Sequence, residues 1–105
     1  MNIPDEILKA IRRQIGVAFP TATIADPWED PMSGDFVFHI RTSGGRLRVI
    51  VTEHVVQETD DVRDVQALII RLKTLPDQLR QLKSGGSLTI APDGFVRESG
   101  ARKRP

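Results

Sequence analysis

The chain opens on a helical pattern. Ile3, Ile7, Ile11 and Ile15 recur four apart with Leu8 beside them, and Asp5, Glu6, Lys9, Arg12 and Arg13 fill the remaining arc. This predicts an amphipathic helix with one stripe for a core. Pro4 suits the first turn, Asp5 and Glu6 suit the positive end of the helix dipole, and Gly16 is the expected stop. Val17 to Ala25 then reads as a strand, which Pro20 assigns to a sheet edge because proline cannot donate to a ladder. Asp26 to Gly34 reads as a turn-rich loop holding Pro27, Pro31 and Trp28.

The clearest element is a hairpin, with strands over about 35–41 and 46–54 joined by Thr42-Ser43-Gly44-Gly45. A turn centred between Ser43 and Gly44 sets Arg41 against Arg46, His39 against Arg48, Phe38 against Val49 and Phe36 against Val51. One face then collects Phe36, Phe38, Ile40, Leu47, Val49 and Val51. The other carries Val37, His39, Arg41, Arg46, Arg48 and Ile50, and a slip of one residue would mix the two sets.

Beyond the hairpin, Thr59 or Asp60 can cap a second helix in which Val62, Val65, Leu68, Ile69 and Leu72 recur at helical spacing. Pro76 kinks that helix or starts another, and Leu75, Leu79 and Leu82 carry the stripe toward a stop at Gly85-Gly86. Residues 87–98 form a last hairpin around Pro92-Asp93-Gly94. A three-residue loop with a bulge sets Ile90 opposite Val96 and Ala91 opposite Phe95. The predicted fold class is α+β: an antiparallel sheet with helices packed on one face, in the order helix, three strands, one helix or a helix pair, two strands.

Length and composition narrow this picture. A chain of 105 residues matches one domain, expected over residues 1–98, with 99–105 as a flexible basic tail. The absence of cysteine excludes disulfides, thiolate metal sites and cysteine nucleophiles. Charged residues interrupt the first twenty positions, no apolar run is long enough to span a membrane, and the expected location is cytoplasmic. The formal net charge is +1, and the basic excess lies in the second half, largely in Arg102, Lys103 and Arg104.

Candidate chemistry is sparse. His39 and His54 both fall on the outer hairpin face in this register, too far apart along the strands to share a metal, and His39 reads as an exposed strand histidine rather than a catalytic one. The loop carboxylates Asp26, Glu29, Asp30 and Asp35 match no calcium-loop spacing, so no metal and no cofactor are expected. Trp28, the only tryptophan, is read as folding back over one end of an aromatic-poor core, with an anchor for a partner as the alternative. The loops Lys83-Ser84-Gly85-Gly86-Ser87 and Thr42-Ser43-Gly44-Gly45 resemble phosphate cradles only in composition. Neither runs from a strand into a helix, so both read as turns.

The outer hairpin face is the most informative region, because Arg41, Arg46 and Arg48 gather near the turn while Val37 and Ile50 lie further along it. Arginine beside aliphatic groups suits a protein interface, including a homodimer face, unless another element covers Val37 and Ile50. A helix, three strands, helix order also builds double-stranded RNA-binding domains. Those place lysines at the start of the second helix, where this chain has Glu58, Asp60, Asp61 and Asp64. The expected function is a non-enzymatic interaction or regulatory module acting through Val37, His39, Arg41, Arg46, Arg48, Ile50 and Trp28 on a protein partner, with a second copy of the chain as one version. One alternative is weak nucleic-acid binding through Arg41, Arg46, Arg48, Arg102, Lys103 and Arg104. The other is an enzyme whose cleft assembles from residues remote in sequence, with no catalytic residue assignable from the motifs.

Overall fold

The computed structural model describes residues 3–59 and 62–98. The basic tail and the cap candidate Asp60 lie outside the described residues. Helix α1 (Asp5–Ala18) is followed by the short strands β1 (Thr23–Ile24) and β2 (Trp28–Glu29). The hairpin β3 (Phe36–Thr42) and β4 (Gly45–Val51) comes next. Three helices, α2 (Glu53–Gln57), α3 (Val62–Leu72) and α4 (Leu75–Arg80), lead to the last strands, β5 (Ser87–Ala91) and β6 (Gly94–Glu98). The fold is α+β, with a mixed sheet of six strands in the order β1-β3-β4-β5-β6 and β2 also paired to β3.

The expectation of an antiparallel sheet is corrected at one ladder: β4 and β5 run parallel, with Val49 beside Leu88 and Val51 beside Ile90. A tight turn cannot join parallel neighbours, and here α2, α3 and α4 supply the crossover that parallel pairing requires. The strand–helix–strand order was itself a signal of that pairing. The buried stripe of α1 (Ile7, Ile11, Ile15) joins Leu68 and Leu72 of α3, Leu75 and Leu79 of α4, and the apolar set of β3 and β4 in one core cluster. Burying each such side chain contributes roughly 1.5–3 kcal/mol, and this cluster is where the fold is held.

Several boundaries move. Helix α1 runs past Gly16 to Ala18, and only Thr23–Ile24 of the segment read as a strand pairs with β3. Two further apolar residues packed at the core edge, Ala18 and Phe19, outweigh the stop signal of the glycine. The strand expected to reach residue 54 ends at Val51, because the Thr52 side chain accepts from Val55 N and caps α2. Pro76 starts a new helix within its first turn, and that helix ends at Arg80, short of Gly85-Gly86.

The two hairpins differ in how they match expectation. In β3–β4 every pair from Phe36 with Val51 to Arg41 with Arg46 is the expected one, and the ladder runs one pair further, to Thr42 with Gly45. In β5–β6 the register is corrected: Ile90 faces Phe95 and Ala91 faces Gly94, so the loop has two residues, Pro92 and Asp93. Gly94 takes φ 155°, a conformation glycine adopts without penalty, and so it enters the strand instead of forming a bulge. Arg71 fixes this turn from α3. Its Nη2 donates to Ala91 O at 2.7 Å and to Gly94 O at 3.2 Å, and its guanidinium lies 5.4 Å from the centre of the Phe95 ring.

Candidate functional site on the outer sheet face

Cross-strand register defines the face opposite the core as three rows. Thr23, Arg41 and Arg46 form the row at the β3–β4 turn, followed by His39, Arg48, Ser87 and Glu98. The third row is Trp28, Val37, Ile50, Thr89 and Val96. Residues directly paired across strands share a face, so each row is a physical neighbourhood. His39, Arg41, Arg46 and Arg48 are exposed. Trp28 is 53% exposed and Val96 49%, with Val37 buried and Ile50 partly buried between them.

Trp28 is therefore corrected from a core lid to a member of this face. The dipeptide Trp28–Glu29 pairs with β3 as a strand, which turns the indole toward Val37's side of the sheet and away from the core cluster. The C-terminal hairpin does not lie over Val37 and Ile50. It extends the same sheet beyond β4 and adds Thr89 and Val96 to the apolar row. Sequence reasoning missed these two residues because it set Val96 on the face of Ile90.

Beside the turn, the first two rows border an open concavity of about 620 Å³. His39, Arg41, Arg46 and Arg48 line it, together with Thr23 and Ala25 from the β1 side and Gly85 and Gly86 from the loop before β5. That loop is a turn, as its place between a helix and a strand indicates. Gly86 N donates to Lys83 O, Gly85 N to Arg46 O at 2.6 Å, and Arg48 N to Gly86 O, which seats the loop against β4. Gly45 takes φ 138°, and a Cβ there would collide with the Ser84 side chain, so the two turns that flank the concavity meet closely at this glycine. No carboxylate among the described residues lines the concavity. Among the described residues, no ion pair or side-chain hydrogen bond engages Arg41, Arg46 or Arg48.

The remaining candidates disperse. His54 lies on α2, not on the outer strand face, since the Thr52 cap ends β4 before it. Asp26 pairs with Arg12 at 3.0 Å, Asp30 accepts from Met32 N, and Asp35 accepts from Glu53 N at 2.9 Å. Each of these carboxylates holds a backbone amide or an ion pair. Among the described residues, no three His, Asp or Glu side chains come together as a metal site would require. No helix among them is long and apolar enough to cross a membrane. Compared with protein-family models, with curated proteins and with solved structures, the chain matches none.

Proposed function

We propose that the chain is a non-enzymatic interaction module whose working surface is the outer sheet face, with the Trp28, Val37, Ile50, Val96 row as its apolar centre and Arg41, Arg46 and Arg48 as its polar flank. The observation that carries this reading is the exposure of Trp28 and Val96 at either end of a row that continues across five strands. Aromatic and aliphatic side chains flanked by arginine are what protein interfaces concentrate. In this reading the helices form a layer behind the sheet, which leaves the opposite face free for a partner. Among the described residues, His39 shares its concavity with arginines and with no carboxylate, an arrangement that offers no acid/base pair for catalysis.

The test is site-specific. An ultraviolet-activated cross-linking residue placed at Ile50, and a control at Lys9 on the exposed side of α1, are expressed in cells. Adducts at Ile50 and none at Lys9 support the reading, and adducts of twice the chain mass identify a second copy as the partner. Equal labelling at both positions, or none, overturns it. The second reading, nucleic-acid binding, draws on the unpaired Arg41, Arg46 and Arg48, and loss of all gel-shift at low salt removes it.

A further inference from the structure

We propose that the arginine-lined concavity takes the carboxylates of an extended acidic segment of a partner protein, and that an apolar side chain of the same segment reaches the Trp28 row. The proposal rests on the outer face being an interaction surface and names the chemistry of what it binds.

Three observations carry it. Arg41 stands directly across from Arg46, and like charges in that relation destabilise a sheet unless an anion lies between or over them. Arg48 occupies the next row, so three guanidiniums border one concavity that no carboxylate lines among the described residues. A guanidinium presents a planar fork of donors that matches a carboxylate with two parallel hydrogen bonds.

Row spacing supplies the third observation. Same-face residues on a strand repeat at roughly 6.6–7 Å, so the basic rows and the Val37–Ile50 row are successive steps of one repeat. An extended peptide laid along β3 and β4 has that same repeat. Acidic residues at two alternate positions then face the Arg41–Arg46 and His39–Arg48 rows, and the next alternate position brings an apolar side chain to Val37 and Ile50, beside Trp28. A nucleic-acid strand fits this surface less well. Its phosphates need positive charge along the whole track, whereas the third row is apolar and Glu98 ends the second.

The full chain is titrated against a fluorescein-labelled peptide, Ser-Asp-Ser-Asp-Ser-Leu-Ser, with polarisation as the readout. Parallel arms use the peptide with both Asp replaced by Asn, the peptide with Leu replaced by Ser, and a short oligothymidylate. The expected result is saturable, salt-sensitive binding of the acidic peptide, weakened about tenfold or more by R46E or R48E and unchanged by R13E on α1. The Asn peptide should lose binding. Trp28, the only tryptophan, should shift its emission to the blue with the Leu peptide and not with its Ser counterpart. Should either arginine variant fail to fold by circular dichroism, the Asn and Leu arms with the unaltered chain still decide the matter. Equal binding of the Asp and Asn peptides, no binding at millimolar peptide, or tighter binding of oligothymidylate through the same arginines each overturns the proposal. Cross-linking at Ile50 that persists alongside such a failure leaves the interaction-surface reading standing and removes only its acidic partner.

Discussion

The two faces of the β3–β4 ribbon are built from alternating residues of the same strands and have opposite characters. On one, Phe38, Val49 and Val51 are 0% exposed and Phe36 only 7%, enclosed with the helix stripes. On the other, His39, Arg41, Arg46 and Arg48 stand in solvent, with like charges facing one another across the strands. The difference teaches where stability resides. The inner face supplies the hydrophobic free energy of folding, while the outer face carries an Arg41–Arg46 pair whose repulsion water screens only in part. A surface released from the work of folding is a surface available for binding.

Five substitutions, two of them combined, sharpen or break that division. F38A removes a fully buried ring and is expected to cost about 3–5 kcal/mol in urea unfolding, with the slope unchanged; a cost under about 1 kcal/mol would deny the inner face its role. G45A meets both a φ of 138° and the Ser84 side chain, and should cost about 1–3 kcal/mol. Adding S84G should recover only the steric part of that loss, which a double-mutant cycle would read as non-additivity. R71A strips the last hairpin of its clamp and should lower stability by about 1–2 kcal/mol, with faster amide exchange in β6 as the local signature. R46T, at the other extreme, removes a like-charge neighbour and should leave stability unchanged or raise it by about 0.2–1 kcal/mol in low salt. A marked loss there would mean that Arg46 is structurally engaged, and the contrast between the faces would fail.

The same contrast explains what could be read in advance. The β3–β4 register was legible because one arrangement alone separates Phe36, Phe38 and Ile40 from His39 and Arg41, and two-residue turns suit Ser43-Gly44. The β5–β6 register was not, since Phe95 and Val96 are both apolar and either could face inward. Arg71, some twenty residues upstream, takes part in that choice by bonding to Ala91 O and Gly94 O and lying against Phe95. His54 was misplaced because Val55 and Val56 prolong a β-branched run, although Thr52 followed by Glu53 was a readable helix start. Of the candidate site, the arginines, His39, Val37 and Ile50 were assigned to their face from the sequence. Thr89, Val96 and the Gly85-Gly86 wall were not, as they come from strands and loops brought beside β4 by the crossover.

Periodicity alone therefore determined the apolar stripes of α1 and α3 and the inward and outward sets of the central ribbon, because side-chain direction follows local backbone geometry every two or every 3.6 residues. Tertiary structure decided which strand lies next to β4, that it runs parallel, and that Trp28 joins the outer face. Those outcomes depend on free energies of pairing and burial between segments far apart in the chain; element order hints at the parallel pairing, and no local pattern encodes the rest.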